Sequence, residues 1–126
     1  MKIYYAHHCW KYDTPIEAWE LDLIRRRFPG CEIINPNGDI NQALTERTIM
    51  NNCLQKVDEC DALVFSSLSG VIGKGVFREV MHAEHRWMPV CYIHHGRVSG
   101  PDVTDKLYIE KIAKGNNRAY ATVWLN

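Results

Sequence analysis

Along this chain, short runs of apolar, β-branched and aromatic residues alternate with longer stretches whose apolar positions recur every three or four residues. The opening run Lys2-Ile3-Tyr4-Tyr5-Ala6 predicts a strand. Thr14-Pro15-Ile16-Glu17 then reads as a helix start, with a Thr cap, proline at the first helical position and Glu three residues after the cap. Ile16, Trp19, Leu23 and Ile24 recur at helical spacing until Pro29-Gly30 stops the helix. Arg25-Arg26-Arg27 fall in its last turn, where the helix end favours cations, so they read as a solvated face. A second strand is expected over 31–34, ended by the turn residues Asn35-Pro36-Asn37-Gly38-Asp39. Ile49, Met50, Cys53, Leu54 and Val57 mark one face of a second helix. Asp61-Ala62-Leu63-Val64-Phe65 is a continuous apolar run, as expected of a central strand covered on both sides. A glycine-rich loop, a third helix over about 76–86 and a fourth strand over 89–93 follow. Beyond a loop at 96–101, the pattern predicts a fourth helix through Ile112, closed by Lys114-Gly115, and a last strand over 119–125.

Strands alternating with helices imply right-handed crossovers, and so a single α/β domain over 1–126. The expected architecture is an open, mostly parallel five-stranded sheet with helices on both faces, Rossmann-like or flavodoxin-like. Ligands in such folds bind beyond the carboxyl ends of the strands. That rule points to the loops after Ala6, Ile34, Phe65 and Ile93.

Composition narrows the partners. The 15 basic and 15 acidic side chains cancel, so nothing favours polymeric nucleic acid or an acidic membrane, and self-association is opposed by little charge repulsion. No segment approaches the ~20 apolar residues of a membrane span, and the start lacks a signal-peptide pattern. A cytoplasmic protein is expected, with its five cysteines reduced.

The strongest local signal is Ser66-Ser67-Leu68-Ser69-Gly70-Val71-Ile72-Gly73-Lys74-Gly75. Glycines let backbone approach a ligand, the serines add hydroxyls, and a helix start offers free N–H groups. Gly70 and Gly73 are too close for a Walker loop, and the first strand leads into His7-His8-Cys9 rather than the glycines of a dinucleotide fingerprint. Glu79 lies about one turn beyond Gly75. Glu79, His82 and His85 drift around the helix, and with His94-His95 they make a poor metal set, so no metal or other cofactor is expected. Of the four tryptophans, Trp10, Trp19, Trp87 and Trp124, only Trp10 falls in a strand-end loop.

The opening run, the 61–65 strand and Gly73-x-Gly75-x-x-x-Glu79-x-x-x-Ala83 before Pro89-Val90 together resemble the nucleoside 2-deoxyribosyltransferase family. They are also similar to its relatives, the 2′-deoxynucleoside 5′-monophosphate N-glycosidases. The resemblance runs over residues 1–93 in element order. It implies that Glu79 is the nucleophile that attacks the anomeric carbon of a nucleoside or nucleotide, with water or a second base completing hydrolysis or transfer. A carboxylate suits that oxocarbenium chemistry. The resemblance further implies that residues 6–13 hold base or sugar, with Tyr4, Ala6, His7 and Trp10 as contacts. Ser66, Ser67, Ser69, Gly70, Gly73 and Gly75 would line the remaining substrate site, the serines and Gly70 near the sugar's 5′ side. The family completes its sites across subunits, so a homodimer or higher homo-oligomer is expected, with Tyr120 and Trp124 as candidate contacts. Gly73 and Cys53 stand where the family usually has aspartates. The alternative is a non-catalytic binder of a nucleotide or NAD-derived signal on the same fold.

Overall fold

The computed structural model describes residues 1–101 and, as backbone, the strands Leu107–Lys111 and Ala119–Trp124. The chain runs β1 (Lys2–Ala6), a 3-10 turn (Cys9–Lys11), α1 (Pro15–Arg27), β2 (Glu32–Ile34), the single turn α2 (Pro36–Asp39) and α3 (Glu46–Asp58). It continues through β3 (Ala62–Ser66), β4 (Val71–Gly73), α4 (Lys74–His85), β5 (Val90–His94), β6 (Arg97–Ser99), β7 (Leu107–Lys111) and β8 (Ala119–Trp124).

The main sheet has the order β2-β1-β3-β5-β6. Its first four strands are parallel, and β6 runs antiparallel on the β5 edge. This is the expected open, mostly parallel five-stranded sheet. Strand alternation sorts the core into two layers. Tyr4, Ala6, Leu63, Phe65 and Tyr92 face α3 and α4, meeting Cys53, Val57, Val76, Val80 and Ala83. Ile3, Tyr5, Val64, Cys91 and Ile93 face α1 through Ile24. Each face therefore carries helices, and β1 and β3 are buried on both.

Three particulars depart from the expectation. The fifth strand of the sheet is not the C-terminal segment but Arg97–Ser99, returned by a tight turn at His95 and Gly96, both at positive φ. The expected fourth helix is overturned at Leu107–Lys111, which is a strand paired with β8. The expected last strand exists as β8, but it joins β7 and β4 in a separate three-stranded antiparallel sheet. The short β4 thus lies inside what the sequence presents as a loop. Its pairing partner is about fifty residues away, so no local signal marks it. The closing pair Lys114-Gly115 and the side chains of Tyr120 and Trp124 lie outside the described residues.

The starts of α1 and α3 are as local chemistry dictates. Thr14 accepts from the Glu17 N–H at 3.3 Å and Thr45 from the Thr48 N–H at 3.2 Å. The apolar spacing of α1, however, does not mark its buried face. Glu17, Glu20 and Ile24 point inward, while Ile16 and Trp19 are about half exposed. That inversion places two carboxylates under the sheet's carboxyl edge.

From β1 the chain crosses to β2 on one side and later to β3 on the other. The carboxyl ends of β1 and β3 are therefore the switch point at which such sheets bind ligands.

Candidate functional site

Two polar clusters form at that switch point, one on each face of the sheet. The first is built on Glu79. It lies in the second turn of α4, on the inward face shared with Val76, Val80 and Ala83, and is only 5% exposed. Tyr4, on the facing side of β1, donates its hydroxyl to Glu79 Oε2. Cys53 of α3 and Tyr12 complete the surroundings through their electrostatic coupling to the same carboxyl. No cation is paired with Glu79 among the described residues. Burial therefore dominates and pushes its pKa from 4.5 up to about 8, with the Tyr4 hydrogen bond pulling back. The same burial raises the Tyr4 hydroxyl, and next the charge of Glu79 does so. It pushes the Cys53 thiol up to about 11, again reinforced by Glu79. In its resting form near neutral pH the cluster is a largely protonated carboxyl among a phenol and a thiol. It can lose one proton, from Glu79, within the working range of a protein.

The second cluster is held by α1. Glu20 accepts from the Tyr5 hydroxyl at 2.6 Å, from Ser66 Oγ at 2.7 Å and from Lys11 Nζ at 3.0 Å. Lys11, itself buried, also donates to Ser66 Oγ and to the Ser67 carbonyl, both at 2.8 Å. Next to it, His7 Nε2 and Glu17 Oε2 are 2.7 Å apart, and the His7 ring stacks on Tyr5 at 3.7 Å. Burial lowers the His7 pKa, opposed by the hydrogen bond to Glu17. For Glu17, burial pushes upward, but hydrogen bonds from His7, Asn37 and the Asp13 N–H outweigh it and hold the carboxyl below its usual value. Every charge here has partners, as buried charges require. The cluster's chemical effect is to lock the ends of β1 and β3 and the loop between β1 and α1.

The expected site residues fall out as follows. Tyr4 and Glu79 meet directly. Ala6 is buried at the end of β1, and His7 and Ser66 belong to the α1 cluster rather than to an open surface. Ser67 shares a 2.9 Å hydrogen bond with the Tyr92 hydroxyl and accepts from the Gly70 N–H. Leu68 and Val71 exchange backbone hydrogen bonds across Ser69 and Gly70, both at positive φ, so this part of the loop is a tight hairpin turn. Gly73 ends β4 and caps α4 without a side-chain hydrogen bond. A Cβ there would stand 3.4 Å from His8 Cδ2. Gly75 occupies the first turn of α4, facing Met50. Trp10 stands apart: it is 75% exposed, its ring edge-on to His8.

Lys11, Tyr12, Glu17, Glu20 and the placement of Cys53 against Tyr4 and Glu79 are not marked by the sequence pattern. The available signal was on α1: its large apolar residues share a helix with carboxylates three apart, Glu17 and Glu20, which a lysine in the preceding loop can neutralise. Among the described residues, no group of three or more His, Cys, Asp or Glu is arranged to hold a metal. His82 instead pairs with exposed Asp58 at 2.7 Å, away from buried Glu79. No helix among the described residues is long and apolar enough to cross a membrane. No protein-family model, curated protein or solved structure matches the chain.

Proposed function

We propose that this protein cleaves the N-glycosidic bond of a nucleoside or nucleotide, by hydrolysis or by transfer to a second base, with Glu79 as the nucleophile. The observation that carries the reading is the buried Glu79 carboxyl, held by the Tyr4 hydroxyl, at the switch point of an open parallel sheet. In its ionised form Glu79 attacks C1′, the C1′–N bond breaks and the base leaves with the bonding electrons. Water or another base then displaces the carboxylate from the sugar. Tyr4 fixes which carboxylate oxygen is free, because one oxygen accepts its hydroxyl. The α1 cluster orients the ends of β1 and β3, and no cofactor takes part.

The reading is tested by base release from a panel of nucleosides and their 5′-monophosphates. Wild type is expected to release base from at least one, and Glu79→Gln to lose that activity by several orders of magnitude. Each ~1.4 kcal/mol of lost stabilisation is tenfold in rate. Retained activity in Glu79→Gln would remove Glu79 from the mechanism.

One observation favours a second reading, a non-catalytic binder of a nucleotide or NAD-derived signal. A carboxyl with a pKa raised to about 8 is mostly a neutral hydrogen-bonding group at neutral pH, suited to holding a ligand oxygen or ring nitrogen. Saturable nucleotide binding with no base release by wild type would select it.

A further inference from the structure

We propose that the cleft between the starts of α3 and α4 binds a small organic anion, a flat apolar body carrying a phosphate- or carboxylate-type group. The cleft has a volume of about 480 Å³, within the ~300–1,000 Å³ typical of small-molecule sites. Three cations, Arg47, Lys74 and Arg78, line it against one carboxylate, Glu46, in a chain whose net charge is zero. Lys74 already neutralises Glu46 at 2.9 Å. Arg47 and Arg78 have no carboxylate partner among the described residues and bring their charge to the cleft uncompensated. Guanidinium groups bind planar or tetrahedral oxyanions through paired N–H donors, and two of them on opposite walls of one cleft can share such a group.

The rest of the lining is apolar. Met50 and Phe77 are partly buried and pack against the core that fills the α3–α4 side of the sheet. Gly75 leaves room for the Met50 methyl, since a Cβ there would stand 3.3 Å from Met50 Cε. An aromatic or otherwise flat body can rest on Met50 and Phe77 while its anionic end meets the arginines. The cleft is distinct from the Glu79 cluster. Cys53 and Glu79 follow Met50 and Gly75 by one helical turn on the same two helices, and neither lines the cleft, so the buried acid lies one turn deeper along α3 and α4. Nothing in this assignment depends on Glu79 being catalytic.

The test uses protein labelled at the methionine methyl groups, with Met50 as the reporter in the cleft and Met88 as an internal control. Phenyl phosphate and benzoate are titrated as anionic probes, and inorganic phosphate and phenol supply the charge alone and the ring alone. The Met50 resonance is expected to shift saturably with phenyl phosphate, benzoate or both, and to respond to phosphate or phenol at least ~10-fold more weakly. Arg47→Glu with Arg78→Glu should weaken the better probe by at least ~10-fold, as loss of charge-assisted hydrogen bonds predicts. Neither arginine is buried, so the fold should survive. If circular dichroism shows otherwise, the Arg47→Gln, Arg78→Gln pair takes its place. Affinity in Glu79→Gln should match wild type, which keeps this result separate from the glycosidase reading. No saturable shift with either anion, phenol binding as tightly as the anions, or unchanged affinity in the arginine variants would overturn the proposal.

Discussion

Glu79 has the unusual combination of deep burial, a phenol as hydrogen-bond partner and, among the described residues, no paired cation, and this fixes how it must respond to pH. Its carboxyl titrates at about 8 in the fold against an ordinary 4.5. If the ionised form is the nucleophile, kcat/KM rises with pH and levels off above about 8. A profile that falls through this range would make Glu79 a proton donor instead. Tyr4→Phe removes the hydrogen bond that pulls the pKa down, so the rising limb should move to higher pH. The raised pKa also has a consequence for stability. The fold holds the Glu79 proton more tightly than the unfolded chain, so this group's contribution is intact below 4.5 and is lost as pH rises to about 8. Glu79→Gln cannot ionise and escapes that loss, which grows by ~1.4 kcal/mol for each pH step between the unfolded and folded values. Urea denaturation should find the variant gaining on wild type as pH rises from 4.5 to 8, with the gap closing in acid. A gap independent of pH would mean that Glu79 is not perturbed in the fold. At this scale the sequence revealed the carboxylate, because its place after a glycine-rich helix start is local. Tyr4 and Cys53 meet it across 75 and 26 residues of chain, so periodicity alone could not pair them with it, and only the family resemblance set them at the same site.

The helix α1 shows why apolar periodicity identifies an element better than it identifies its buried face. Ile16, Trp19, Leu23 and Ile24 correctly signal a helix between Thr14 and Pro29, yet Glu17 and Glu20 take the inward side. Counting apolar residues assumes that charges face water. Here Lys11, Tyr5, Ser66, His7 and Asn37 supply enough donors to bring two carboxylates inside. Breaking such a buried pair leaves a desolvated charge behind. Glu20→Ala strands the Lys11 ammonium and the Tyr5 hydroxyl, and is expected to cost ~3–5 kcal/mol in urea denaturation. Arg26→Ala removes only the exposed pair with Asp22 and should cost no more than ~0.5 kcal/mol. Equal effects would show that the α1 cluster is not a structural lock. β4 and β7 were illegible for a different reason. A three-residue segment becomes a strand only through its partner, and a short apolar run such as Leu107-Tyr108-Ile109 fits a helix or a strand equally well until β8 is alongside.

At the scale of the whole molecule, the parallel pairing of β2, β1, β3 and β5 follows from the alternation of strand and helix, whereas their order, and with it the switch point, is seen only in the fold. The β6 hairpin and the second sheet do not follow, because each is added at an edge by pairing that periodicity does not encode. Oligomeric state is also decided at this scale. Within one chain Trp10, Trp19 and Trp87 are 75%, 50% and 93% exposed, so none of these three indoles is withdrawn from water by the fold. Scattered exposed apolar residues are ordinary, but three large indoles on a surface of zero net charge face little electrostatic opposition to burial against a second copy. We expect a homodimer. Sedimentation velocity at micromolar concentration should give a species of twice the chain mass. Dilution through the dissociation constant should shift tryptophan emission to longer wavelength as buried indoles return to water. A single monomeric species up to high micromolar concentration, with emission unchanged on dilution, would rule the dimer out and require any active site to be completed within one chain.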